Sequence, residues 1–310
     1  MSEKVFKSLD DLIEVLISKG LKVTNYDFTR EVLLRENYFF INGYRHLFRK
    51  EDNPSEYIEG STFDEVHALF NFDRQLRTII FKNMLIFENN LKSIVSYVIS
   101  KNHGFKESHY LNPKIFVKDN RRTKQVNDLL RKIKRQISVN GKQHMATKHY
   151  LENYGYIPMW IVVKVLSFGI IGEFFMVLKS PDKEEIVDIF GVSVENFECY
   201  LPILANYRNL CAHEDICYEN KTQKVINDTI YHHRLEIPKN EYDYIYGKND
   251  LFALIIILKE ILSEENFHLL LNEISYELDI LEGKLESISI DKVLNRMGFP
   301  KNYKELVRME

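Results

Sequence analysis

With 310 residues, 45% of them apolar and 28% charged, and with only 12 Gly and 7 Pro, the chain can bury a large core and has too few breakers for a disordered or turn-rich protein. A formal net charge of −3 and a sequence pI of about 6.4 exclude a globally basic nucleic-acid binder, so any contact with RNA must use local patches. Cys199, Cys211 and Cys217 are too few and too close together for a disulfide framework, and no His or Cys pair stands beside them at zinc spacing.

The first residues, Met-Ser-Glu-Lys-Val-Phe, lack a charged start leading into an apolar core, so secretion is not expected and the cytoplasm is the expected compartment. Leu9, Leu12, Ile13, Leu16 and Ile17 recur at helical spacing, and Gly20 closes this first helix. A second helix is predicted over 27–35. The aromatic stretch 37–44, followed by turn residues at 51–55, predicts a helix packed on the main body. Thr62, with Glu65 three residues later, caps a long helix ending near Ser100, where Asn102, His103 and Gly104 follow. Arg77 and Glu88 lie within about 20 to 40° of Met84 on its apolar stripe, so both charges point inward.

Residues 121–135 form an amphipathic helix whose inner stripe is Val126, Leu130, Ile133 and Ile137. Its outer face carries Arg121, Arg122, Lys124, Arg131, Lys132, Lys134 and Arg135, either an RNA-backbone patch or a solvated face. The apolar run 161–178 contains Lys164, Gly169, Gly172 and Glu173, which argues against a membrane span. A single buried helix is expected instead, started by Pro158 and stopped by Ser180-Pro181-Asp182. A short helix over 183–190 precedes one over 193–213, capped by Ser193 or Asn196 and with Pro202 near its start or at a kink. Residues 221–238 suit a small β-hairpin or an irregular loop, with His232-His233 as a surface pair. Further helices are predicted over 250–262, 266–281 and 287–297. The fold class is therefore all-α, a multi-helix bundle. It is organised as an N-terminal segment (1–60), a core (61–220) and a C-terminal helical region (221–310).

The segment Arg208-Asn209-Leu210-Cys211-Ala212-His213 carries the chemistry. Turning about 100° per residue from Tyr207, residues Tyr200, Ile203, Leu204, Leu210 and Cys211 share a buried face, while Asn209 points away from it with Arg208 and His213 on either side. Arg and His are then about 140° apart and converge on one phosphate only if the helix ends or loosens near His213. A two-fold dimer would instead gather two such motifs around one cleft. Imidazole, which titrates near neutral pH, can take the ribose 2′-hydroxyl proton or protonate the departing 5′ oxygen, and guanidinium can hold the phosphate oxygens. On spacing alone, Arg208 in a surface ion pair and His213 at a helix C-terminus explain the same residues.

Several segments occur in an order that resembles the Abi-like family of abortive-infection proteins. They are Leu33-Leu34-Arg35-Glu36-Asn37-Tyr38-Phe39 with Gly43-Tyr44 and Phe48-Arg49, Phe70-Asn71-Phe72-Asp73-Arg74-Gln75-Leu76-Arg77, Phe87-Glu88-Asn89-Asn90-Leu91-Lys92, His149-Tyr150, Pro158-Met159-Trp160, and Arg208-Asn209 with Ala212-His213. The resemblance extends to the HEPN superfamily of helical bundles. It implies a metal-independent endoribonuclease that needs no cofactor, works as a homodimer on RNA in phage defence, and uses Arg208, Asn209 and His213. It also implies an alternative, an effector that holds a structured non-coding RNA with little catalysis. Glu88 matches an acidic position near the motif. A buried carboxylate without a partner is costly, so Glu88 is expected to pair with Arg77 or with Arg208. Asp215 stands where some relatives carry a tyrosine, so no tyrosine modification site is expected.

Overall fold

The longest helix starts at the reciprocal cap that its sequence predicts. The Glu65 amide donates to Thr62 Oγ1 at 3.2 Å and the Thr62 amide donates to Glu65 Oε2 at 2.9 Å, which satisfies two backbone donors left open at the helix start. The structure, a computed structural model, describes residues 5–141 and 143–309, apart from the side chains of residues 40, 120 and 121.

In chain order the described residues form α1 (Leu9–Ser18), α2 (Tyr26–Glu36), α3 (Tyr38–Gly43), α4 (Phe63–His103), α5 (Glu107–Tyr110), α6 (Asn120–Asn140), α7 (Met145–Tyr154) and α8 (Met159–Val162). There follow α9 (Phe168–Val177), α10 (Ser180–Asp188), α11 (Val194–Ala212), α12 (Ile230–Arg234), α13 (Leu251–Ile261), α14 (Glu264–Glu282) and α15 (Ile290–Met297). Short 3-10 turns connect several of them, and no strand occurs among the described residues. The protein is an all-α bundle.

At 41 residues and a rise of 1.5 Å per residue, α4 is about 60 Å long and forms the spine. Helices α10, α11 and α14 pack along it, α11 also meets α9, α10 and α13, and α6 lies on α9. Every residue from Leu251 to Leu258 is fully buried, as a helix apolar on all sides must be. The structure thus gives both apolar runs a place inside the bundle, and among the described residues no helix is long and apolar enough to cross a membrane.

Glu65 also ties the two ends of the chain together. Its Oε1 accepts the amides of Glu286 and Ser287 at 2.8 and 2.6 Å, and the Ser287 hydroxyl at 2.8 Å. Burial by itself would raise this carboxyl, but the Ser287, Glu286 and Thr62 donors outweigh it and hold Glu65 below its ordinary range. A depressed carboxylate contributes stability above its unfolded pKa of about 4.3 and loses it as the pH falls through the lower folded value. Glu65→Gln is therefore expected to lower stability at pH 7 by about 1 to 2 kcal/mol and to flatten the acid limb of a urea-melting series; an unchanged acid limb would contradict this linkage.

Two local expectations are corrected, and one open alternative is decided. The predicted single helix after Pro158 breaks at Leu166, which is extended at φ −85° and ψ 136°, and restarts where Ser167 Oγ accepts the Ile170 amide. The break lets α8 lie on α4 while α9 reaches α6 and α11 as well as α4, a packing choice that continuous hydrophobicity conceals. Ser180-Pro181-Asp182 opens α10 rather than stopping its predecessor, since proline is well tolerated in the first helical turn. Of the two alternatives for residues 221–238, the structure shows irregular chain, interrupted by the short α12, with no hairpin among the described residues.

Candidate active site

Ser193 caps α11 by accepting the Asn196 amide at 3.1 Å, and the helix continues through Pro202. The face composed of Tyr200, Ile203, Leu204, Tyr207 and Cys211 is buried against the spine and core, while Leu210 is half-buried. The opposite face therefore has a fixed direction. Asn209 is exposed, Arg208 is half-buried beside it, and His213 is exposed at the helix end.

The helix stops at Ala212. His213 is its C-cap, with φ −103° and ψ 5°, and its amide reaches back to the Asn209 and Leu210 carbonyls. Glu214 then adopts φ 58°, an unusual value for a residue with a side chain, and turns the chain back toward α4. Helical spacing thus governs Arg208 and Asn209 but ceases to govern His213 at its own position. Among the described residues, neither the His213 imidazole nor the Asn209 amide has a hydrogen-bond partner.

Arg208 is tethered. Its Nε lies 3.4 Å from Glu88 Oε2 and its guanidinium stands over the Phe81 ring, 5.6 Å from the centroid. Glu88 is 6% exposed, and its Oε1 accepts from Lys92 Nζ at 2.7 Å. The carboxylate is therefore shared between one interior lysine and the motif arginine. Of the two partners expected for Glu88, the structure supplies Arg208 and not Arg77.

Arg77 serves Asp73 instead. Asp73 is fully buried, and every group around it donates. Oδ2 receives Tyr44 Oη at 2.7 Å, Arg77 Nη1 at 2.5 Å and the Cys217 amide at 3.0 Å, while Oδ1 receives the Tyr218 amide at 2.7 Å. Arg77 also donates to the Asp215 carbonyl at 3.3 Å. Burial pushes the Asp73 carboxyl upward, and the Arg77 charge with the two amides opposes that push. Four converging donors suit the ionised form. Tyr207 Oη adds a bond of 3.0 Å to the Asn220 carbonyl. Together these contacts clamp 215–220, the segment that fixes where His213 leaves its helix.

Asp73 and Lys92 were absent from the predicted set, although the sequence contained a signal for each. Asp73 precedes Arg77 by four residues and falls about 20° from Met84 on the buried stripe. Lys92 follows Glu88 by four, the spacing of a helical ion pair.

With the geometry in hand, the chain can be compared with known proteins. A family model described as Abi-like protein matches residues 31–219, more than half the chain. The chain belongs to the Abi-like family. No curated protein and no solved structure matches it. The matched region of this Abi-like protein contains Asp73, Arg77, Glu88 and the whole Arg208 to His213 segment; α12 to α15 lie outside it.

The basic helix of this Abi-like protein lies beside the motif helix. Arg122 and Lys132 line a cavity of about 860 Å³ together with Gly169 and Gly172 of α9 and Pro202 and Ala205 of α11. Lys132 pairs with Glu173 at 2.6 Å and Arg131 pairs with Asp128. Lys124, Lys134 and Arg135 are exposed and pair with no carboxylate among the described residues. The side chain of Arg121 lies outside the described ones.

His232-His233 is not a surface pair. His232 is fully buried, its Nδ1 accepts the Thr229 amide at 3.0 Å, and its Nε2 lies 2.9 Å from the Gly247 carbonyl. This arrangement is a neutral imidazole serving as a cap, and burial holds its pKa below the ordinary value. Only His233 is exposed. Among the described residues no group of three His, Cys, Asp or Glu side chains is placed to hold a metal ion.

Proposed function

We propose that this Abi-like protein is a metal-independent endoribonuclease of the HEPN type that acts in the cytoplasm as a homodimer in defence against phage. The observation that carries the proposal is the motif geometry. A half-buried arginine is fixed by Glu88, and five residues later an exposed histidine, without a partner among the described residues, stands where the helix has just ended.

In the proposed reaction one His213 imidazole takes the proton of a ribose 2′-hydroxyl. The 2′ oxygen forms a bond to the adjacent phosphorus, and the bond from phosphorus to the 5′ oxygen breaks. The partner subunit's His213 delivers a proton to that leaving oxygen, so a 2′,3′-cyclic phosphate and a 5′-hydroxyl result. Arg208 offsets charge on the non-bridging oxygens, and Asn209 holds the phosphate or orients the imidazole. Glu88 keeps the guanidinium in place while Lys92 shares its charge, so the carboxylate does not neutralise Arg208 by itself.

The test compares wild type with Arg208→Ala/His213→Ala on single-stranded RNA in EDTA. Cleavage by wild type alone, leaving cyclic phosphate ends, is expected; equal degradation by both removes the nuclease assignment. Sedimentation equilibrium at micromolar concentration addresses the dimer, and a monomer that cleaves at full rate would remove the two-motif site. Lys124, Lys134 and Arg135, exposed and paired with no carboxylate among the described residues, favour a second reading, in which the protein holds a structured RNA without cutting it. Stable RNA copurifying with a wild type that lacks cleavage activity would select that reading.

A further inference from the structure

Two cavities flank the end of the motif helix and share Arg74, Arg77 and Glu214 in their walls. The shallower, of about 360 Å³, reaches Phe81, the ring beneath the Arg208 guanidinium. The deeper, of about 450 Å³, extends to Phe39, Asn42 and Arg45, a volume within the roughly 300 to 1,000 Å³ of ordinary ligand pockets. Phe81, under Arg208, and Arg45 therefore stand in two adjacent cavities that share a wall.

The cations around these cavities differ in their commitments. Arg74 is paired with Glu36 at 2.6 and 3.0 Å and Arg77 with Asp73. Arg45 pairs with no carboxylate among the described residues, and nor do its neighbours Lys19 and Arg49. Arg49 is buried away from the cavity lining, where its Nη1 donates to the Ser55 carbonyl and its guanidinium stands 3.8 Å from the Tyr57 ring centroid. Burial together with the Arg49 and Arg45 charges pushes the Lys19 ammonium below its ordinary value. Of the arginines that line the deeper cavity, Arg35, Arg74 and Arg77 are paired with carboxylates whereas Arg45 pairs with none among the described residues, so an anion entering the cavity is drawn to Arg45.

The opposite rim suits a base. Phe39 is 77% exposed, a large aromatic face of the kind on which bases stack. Asn42 lines the same cavity, and its amide oxygen is buried without a hydrogen-bond partner among the described residues. A carboxamide presents one donor and one acceptor, the complement of a base edge.

We propose that this double cavity seats the single-stranded RNA beside the scissile phosphate: the strand crosses Phe81 from Arg208, and a flanking nucleotide enters the deeper cavity with its phosphate on Arg45 and its base against Phe39 and Asn42. The proposal rests on the nuclease reading for the position of the cut, but the pocket can be tested without cleavage.

The binding arm uses fluorescence anisotropy of a labelled single-stranded RNA hexamer on full-length His213→Ala protein, with and without Arg45→Ala. Loss of one phosphate contact should weaken binding about tenfold and reduce the salt slope by about one contact, with Arg45→Lys restoring part of the affinity. The cleavage arm sequences the cut ends made from a random RNA pool by wild type and by Asn42→Ala, in which the base preference at one flanking position is expected to flatten. Arg45 has no carboxylate partner to lose among the described residues, so its variant should melt like wild type. Unchanged hexamer affinity and an unchanged cut pattern overturn the pocket while leaving the nuclease intact. Arg45-dependent binding with no cleavage by wild type upholds the pocket and overturns the nuclease.

Discussion

His213→Ala is expected to slow RNA cleavage by about 10²- to 10⁴-fold, the usual contribution of a positioned general acid or base, with almost no change in melting temperature. The two effects separate because His213 is exposed and its imidazole has no partner among the described residues. All that its removal costs the fold is a favourable interaction with the helix C-terminus, roughly 0.3 to 1 kcal/mol. Arg208→Ala should behave similarly, because Glu88 keeps its 2.7 Å bond to Lys92 and no carboxylate is stranded. The measurement is single-turnover cleavage alongside thermal denaturation. Retention of more than half the wild-type rate by His213→Ala would remove the imidazole from the chemistry.

Asp73→Asn is expected to show the reverse, a stability loss of about 3 to 5 kcal/mol with reduced cleavage as its consequence. The substitution preserves shape but leaves the Arg77 charge buried at 4% exposure without a counter-ion, and it turns an amide group toward a ring of donors. The Tyr44 hydroxyl and the Cys217 and Tyr218 amides compete for the one remaining carbonyl oxygen. Removing both members of a buried ion pair is far less costly than removing one, so Asp73→Asn/Arg77→Met should regain much of the loss. Urea denaturation of the two variants checks this directly. If Asp73→Asn unfolds within 1 kcal/mol of wild type, on the scale of an ordinary hydrogen bond, the network does not hold the segment after His213.

Much of this molecule is legible in local pattern. The Thr62 and Glu65 cap, the inward direction of Arg77 and Glu88, the buried face of α11 and the exposure of Asn209 all follow from a 3.6-residue period, because burial of one helical face depends only on which residues share it. The same period misled at Leu166, where an apolar run continues across a break that lets α9 reach α6 and α11 while α8 stays on α4. It also misled at His232, where a polar pair reads as surface but one member is drawn inside by the Thr229 amide and the Gly247 carbonyl.

By itself the sequence determined an all-α bundle and the family of the chain, and it singled out the Arg208 to His213 segment as the candidate motif. What the tertiary structure alone decided is how those residues are held. Glu88 meets Arg208 across 120 positions of chain, and Asp73 meets the Cys217 and Tyr218 amides across 144 and 145. Periodicity specifies that a charge points inward and that burial demands a partner, but it does not specify which distant element arrives to meet it. Helix packing settles that, and with it the point at which the Arg208 helix releases His213.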